Sequence, residues 1–149
     1  MMSLKKLYAQ DKLQRHKTSR KEINNMFLLI KRDLKDSKLK GLSCDRQFAT
    51  AYNAVLQSAM ILIYCNGYKP RGTGHHFIVF QAMKEILGKT YHDLADYFDA
   101  CRSKRNTTDY EYAGTISRKE VEELIKEAIK FVKVVSDWLK THYPQYLKI

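Results

Sequence analysis

Proline and glycine are scarce in this chain, which has two and six of them among its 149 residues. Chains that are disordered or rich in turns usually contain more of both, so the composition argues against a sandwich and against a disordered protein. No segment alternates convincingly between apolar and polar residues, as a half-buried strand would. We therefore predict an all-α fold, and the length suits a single domain over residues 1–149 with one sizeable core.

Cysteine is scarce as well, with three residues in the chain. Cys44, Cys65 and Cys101 are odd in number and far apart, and no C-x-x-C pair or alternating Cys/His set points to zinc. We expect them to be small buried apolar residues in a reducing compartment. No metal site and no cofactor is predicted.

The sequence also lacks an N-terminal apolar stretch of the kind that a secretory signal needs. The longest apolar run, residues 59–65, is far shorter than the roughly 20 residues that span a bilayer. We therefore expect a cytoplasmic protein without membrane association.

Positive charge is abundant and unevenly distributed. The formal net charge is +11, and residues 1–42 alone hold 12 Lys and Arg against 4 Asp and Glu, which leaves +8 there and +3 in the remainder. Such a segment attracts RNA, DNA or an acidic partner. The alternative is a helix face that lysines keep in water. No known nucleic-acid-binding fold motif accompanies the charge.

Apolar residues recur at helical spacing in five segments, which predicts a bundle of about five helices. Ser-Arg-Lys-Glu occurs at residues 19–22 and again at residues 117–120, and both tetrapeptides are typical capping boxes. Asp45 is predicted to cap the central helix, and Gly88 to stop the third. The predicted helices, which follow a basic lead-in at about residues 1–18, cover approximately 19–40, 45–65, 75–87, 90–105 and 117–143.

The third predicted helix begins with His75 and His76, after a loop rich in glycine. Either histidine could act as an acid or a base. The preceding Gly72-Thr73-Gly74 segment is a possible phosphate contact, because the positive end of a helix binds anions. The alternative is that one of them packs against the bundle. The apolar stripe of this helix, predicted to face the core, consists of Phe77, Phe80, Met83 and Leu87.

The fourth predicted helix carries an arginine where its apolar face continues. That face consists of Leu94, Tyr97, Phe98 and Cys101. The next position on it is Arg105, and a guanidinium there is costly unless an anionic or strongly polar group receives it. Asp99 can pair with Arg102 across one turn. Two interpretations stay open, a cationic helix terminus that complements the dipole or a binding site.

Residues 99–112 read DACRSKRNTTDYEY, and residues 67–76 read GYKPRGTGHH. Together they resemble the HEPN superfamily of small prokaryotic helical-bundle proteins, over most of the chain from about Asp45 onwards. Arg105-Asn106 matches the start of the family motif and Tyr112 matches its trailing tyrosine. Tyr110 occupies the position of the motif histidine. The resemblance therefore implies an HEPN-like bundle whose histidine has been replaced.

In ribonucleases of that family the motif arginine and histidine lie in a homodimer cleft, where the arginine stabilises the phosphate and the histidine transfers a proton. Tyr110, with an ordinary pKa near 10, is a poor base at neutral pH. The resemblance thus implies a non-catalytic homodimer that binds RNA or a nucleotide, in a toxin–antitoxin or defence module with a nucleotidyltransferase-type partner. The expected binding residues are Arg102, Arg105, Asn106, Tyr112, His75 and His76.

Two other functions stay open. One is an active, metal-independent endoribonuclease, for which the catalytic candidates are Arg105, Asn106 and Tyr110, with His75 or His76 supplying the base. The other is a helical protein-interaction module without any role in nucleic-acid binding. Asp109 and Glu111 could also hold Arg102 and Arg105 in place, and the arginine cluster would then be structural.

Overall fold

The computed structural model describes residues 3–72, 76–110 and 112–147. Six α-helices make up most of these residues, which confirms the prediction of an all-α bundle. The helices are α1 (Leu4–Ala9), α2 (Arg20–Asp36), α3 (Cys44–Cys65), α4 (His76–Leu87), α5 (His92–Tyr110) and α6 (Arg118–His142). Two strands, β1 (Leu13–Arg15) and β2 (Tyr68–Pro70), and the 3₁₀ turns Lys89–Tyr91 and Pro144–Tyr146 complete the described elements.

The central helix is α3, as predicted, and α2, α4, α5 and α6 all pack against it. Ala51, Ala54 and Ala59 are fully buried, and these small side chains let the neighbouring helices approach closely. By length and composition α3 could also cross a membrane, but 67% of its apolar window is buried inside this protein. A buried core helix passes the same test, so this feature is weak evidence for a membrane span.

A row of buried aromatic rings joins four helices. The rings of Tyr52 (α3), Phe80 (α4), Phe98 (α5) and Phe131 (α6) follow one another with centroid separations of 6.2, 6.0 and 5.0 Å. All four side chains are at most 2% exposed. Aromatic pairs at such separations contribute about 0.5–1.5 kcal/mol each beyond the burial of their area. The row fixes the relative positions of the four helices around Tyr52.

The basic lead-in is part of the fold. It contains α1 and β1, and Leu7 and Leu13 are fully buried in the core. β1 pairs antiparallel with β2, so that Leu13 lies opposite Pro70 and Arg15 opposite Tyr68. The prediction that the chain has no strand is therefore wrong at these two sites. Strands of three residues are too short to produce a detectable alternation of apolar and polar residues.

Several predicted helix boundaries are also corrected. Ser43, not Asp45, caps α3, because its side chain accepts the hydrogen bond from the Arg46 amide. The carboxylate of Asp45 instead accepts a hydrogen bond from the Gly114 amide at 2.7 Å. α2 ends at Asp36 and not near Lys40, because the Ser37 hydroxyl donates to the Leu34 carbonyl and closes the last turn.

The capping boxes predict the starts of α2 and α6 correctly. Ser19 and Ser117 are the N-caps, and each accepts a hydrogen bond from the amide of the glutamate three residues on. Only Ser117, of these two, forms the reciprocal bond with its glutamate. α5 was expected to end near Arg105 and to be followed by a turn at 110–114, but the helix continues to Tyr110.

Candidate functional site

Tyr52 is the centre of a cluster to which three helices contribute. Its hydroxyl lies 3.1 Å from Nδ1 of His76, the first residue of α4. The guanidinium carbon of Arg105, on α5, lies 5.4 Å from the centroid of the Tyr52 ring. This distance is within the range of a cation–π interaction. The structure therefore brings Arg105 and His76 to the same buried phenol.

The fold explains why these side chains meet. Phe80 lies one turn after His76 on α4, and its contact with Tyr52 in the aromatic row holds the beginning of α4 against α3. On α5, Phe98 and Cys101 are buried, and Arg105 continues their face at the next turn. Arg105 is half-buried there, and its guanidinium lies over the aromatic face of Tyr52. Leu94 and Tyr97, which were expected on the same core-facing stripe, are half-buried.

Arg102 lies one turn before Arg105 on α5 and forms the predicted pair with Asp99. The Arg102 Nε atom donates to Asp99 Oδ1 at 2.7 Å, and both side chains are partly exposed. This hydrogen bond raises the pKa of Arg102. Asp99 therefore holds the second guanidinium of the cluster in place.

The electrostatic environment favours neutral forms of the imidazole and the phenol. Burial lowers the pKa of His76, and the positive charges of Arg105 and Arg102 lower it further. Burial raises the pKa of Tyr52 against the opposing effect of the two arginines. At neutral pH the Tyr52 hydroxyl is thus protonated and His76 is uncharged. A neutral imidazole with its Nδ1 facing a hydroxyl can accept that proton or, in the other tautomer, donate its own.

The remaining predicted site residues lie at different distances from this centre. Asn106 follows Arg105 on α5 and is half-buried. Tyr112 lies beyond the end of α5, where its amide donates to the Thr107 carbonyl, and its side chain is 66% exposed. His75 lies outside the described residues, and so do Thr73 and Gly74 of the predicted phosphate contact. The side chain of Tyr110 is also outside them, although its backbone forms the last residue of α5. The hypothesis that Asp109 and Glu111 hold the arginines likewise falls on side chains outside the described part.

Sequence reasoning missed Tyr52 as a member of the site. Its side chain is fully buried. A buried tyrosine nevertheless needs a hydrogen-bond partner for its hydroxyl, and this requirement was the available signal. It indicates that a polar group lies nearby, although it does not identify His76.

The predicted inward position of Phe77 is wrong. The core face of α4 is centred on Val79, Ala82 and Met83, which are at most 1% exposed. Phe77 precedes Val79 by two residues, or about 200° around the helix, and is therefore turned to the opposite side. Its side chain is 53% exposed.

Metal binding has no support within the described residues, among which no group of three or more His, Cys, Asp or Glu side chains could hold an ion. The three cysteines are free thiols. Burial raises the pKa of the Cys65 thiol to about 12 and that of the Cys101 thiol to about 11. Since the thiolate is the reactive form, these two side chains contribute packing and not chemistry.

Comparisons of the chain with protein-family models, with curated proteins and with solved structures find no match.

Proposed function

We propose that this chain binds RNA as an HEPN-like protein and holds the phosphates with Arg102 and Arg105. The convergence of Arg105 and His76 on Tyr52 is the observation that carries the proposal. Guanidinium groups form paired hydrogen bonds with phosphate oxygens, and an imidazole or a phenol can add further donors. The cluster thus has the donor groups that suit a phosphodiester.

The charges of the molecule support the same ligand class. Both arginines lower the pKa of His76, so their positive field extends across the cluster. An anion at this place is attracted by that field. The net charge of +11 further raises the rate at which a polyanion encounters the protein.

The sequence resemblance supports a wider hypothesis about assembly and context. A two-fold homodimer would bring two copies of the Arg105-Asn106 segment into one polar cleft. By the same analogy the dimer is cytoplasmic and belongs to a toxin–antitoxin or defence module with a nucleotidyltransferase-type partner. Light scattering on the purified protein at micromolar concentration tests the dimer, and a monomer would contradict this part of the proposal.

RNA binding is tested by fluorescence anisotropy with a labelled single-stranded RNA at several salt concentrations. Arg105→Ala should weaken binding and reduce the slope of log K against log salt by about 0.7, the value for one phosphate contact on a single strand. Lys140→Ala removes one positive charge from the exposed end of α6 and is the matched control. Equal affinities and slopes for wild type and Arg105→Ala would contradict the proposed site.

A second function, metal-independent RNA cleavage, is favoured by one specific observation. His76 has a lowered pKa beside two arginines, so a neutral imidazole is available to accept the proton of a ribose 2′-hydroxyl. Arg105 would then stabilise the charge that develops on the phosphate. In this mechanism His76 replaces the motif histidine, whose position Tyr110 occupies.

Cleavage is tested on a mixed-sequence RNA in the presence of a chelator. If His76 is the base, His76→Ala and Arg105→Ala should each abolish activity, and Tyr110→Phe should retain it. If wild type binds RNA without cleaving it, the binding function stands alone. If it neither binds nor cleaves RNA, the remaining alternative is a helical protein-interaction module.

A further inference from the structure

A cavity of about 230 Å³ lies between α4 and α5, next to the arginine cluster. Asp99, which pairs with Arg102, lines one part of it, and Phe80, which contacts Tyr52, lines another. The cavity is smaller than the roughly 300–1,000 Å³ pockets that hold drug-sized ligands. It therefore suits a single planar ring system located beside the phosphate contacts.

One wall of this cavity is the aromatic ring of Phe77. The residue directly follows His76 in the chain, and its side chain is 53% exposed despite being fully apolar. Unpaired RNA bases commonly stack on aromatic rings of this kind, because every base has a π face. Phe77 is thus positioned to stack a base whose phosphate is held by the neighbouring cluster.

Polar side chains line the cavity beside the apolar Phe80 and Ala95, and they can hydrogen-bond the edge of a base. Nε2 of His92 is buried, and it has no hydrogen-bond partner among the described residues. Asp96 lines the same cavity, where Lys84 holds one of its carboxylate oxygens at 2.5 Å. Carboxylates accept hydrogen bonds from exocyclic amino groups, such as N4 of cytosine. Uracil has a carbonyl oxygen at that position, which a carboxylate repels.

We propose that the Phe77–Asp96 cavity is a nucleobase subsite that prefers a base with an exocyclic amino group, and therefore cytosine over uracil. This inference rests on the proposed RNA-binding function and adds the base that the site selects. The ring of Phe77 stacks the base, Asp96 accepts from its amino group, and the adjacent arginines hold the phosphate.

The test compares the affinities of fluorescein-labelled rC8 and rU8 for wild type and five variants. Phe77→Ala should weaken rC8 binding by about 5- to 150-fold, the range for loss of one stacked base. Phe77→Tyr keeps the ring and should retain wild-type affinity. Ile129→Ala truncates another exposed apolar residue, on α6, and should also bind like wild type.

Wild type should bind rC8 at least about 5-fold more tightly than rU8, and Asp96→Asn should remove this preference. If Arg105→Ala weakens rC8 binding but Phe77→Ala binds like Ile129→Ala, the subsite is refuted and the phosphate site stands. If wild type shows no preference for rC8, the assigned base is wrong. If wild type binds neither RNA, or Arg105→Ala binds both as wild type does, the proposed function fails and the subsite with it.

Discussion

The hydrogen bond between Tyr52 and His76 can be isolated by Tyr52→Phe, which removes one oxygen atom and keeps the ring. The ring still contacts Phe80 and still lies under the Arg105 guanidinium. The variant therefore loses only the 3.1 Å contact with His76 Nδ1. A neutral hydrogen bond of this kind contributes about 0.5–1.5 kcal/mol to the free energy of unfolding.

Because His76 is only half-buried, water can partly replace the lost partner, and we expect the cost to be about 1 kcal/mol. For a chain of this length that cost corresponds to a decrease in Tm of about 2–4 °C. Urea unfolding measures the free energy directly. Tyr8→Phe is a matched control, since the Tyr8 hydroxyl makes no hydrogen bond with any described residue.

A double-mutant cycle with His76→Ala separates this contact from other effects of the missing hydroxyl. Once His76 has been removed, Tyr52→Phe should cost little, so the coupling energy should be about 0.5–1.5 kcal/mol. The same cost for Tyr52→Phe in both backgrounds would show that the hydroxyl does not depend on His76. The cluster described above would then be wrong in its central contact.

Three further perturbations test other parts of the structure. The pKa of His76 in the folded chain lies below its ordinary value of 6.5. The unfolded chain therefore binds more protons than the folded chain as the pH falls below 6.5. In urea titrations at pH 7.5 and 5.5, wild type should lose stability at the lower pH relative to His76→Gln. Replacing the exposed Lys5, Lys6 and Lys17 by Gln should leave Tm nearly unchanged and lower the RNA salt slope by about 0.7 for each residue that contacts a phosphate. An unchanged slope would exclude these three lysines from binding. Phe131→Ala should cost about 3–5 kcal/mol in urea unfolding, because the ring is fully buried against Phe98, and a cost below about 1 kcal/mol would contradict the packing.

Helix positions were predictable where local chemistry determines them. Ser19 and Ser117 cap their helices through bonds that lie within four consecutive residues, so the sequence contains the whole interaction. The beginning of α3 was misassigned by two residues because Ser43 and Asp45 are both good caps, and only the folded chain gives Asp45 a different partner in Gly114. Local sequence signals therefore predict where the helices begin, and tertiary contacts determine which of two nearby residues is the N-cap.

The small sheet and the exposed position of Phe77 depend on contacts between distant segments. β1 forms because residues 13–15 meet residues 68–70, and neither segment is long enough to show the period of a strand. Phe77 fits a helical apolar stripe with Phe80 and Met83, so periodicity alone favoured burial. α3 and α5 cover the side of α4 that carries Val79, so Val79 takes the core position instead of Phe77.

The candidate site also combines a signal in the local sequence with contacts between distant segments. In the sequence, Arg105 continues a core-facing stripe, and a buried charge requires a group that receives it. The sequence therefore indicates that Arg105 has a partner but does not identify that partner. The identity depends on how α3 and α4 pack against α5. Tyr52 receives the guanidinium because the aromatic row fixes its ring opposite that turn of α5, and the same contacts bring the first residue of α4 to its hydroxyl. The packed row of buried rings thus ends in a polar cluster, and its contacts would hold the imidazole and the guanidinium in place for the proposed phosphate.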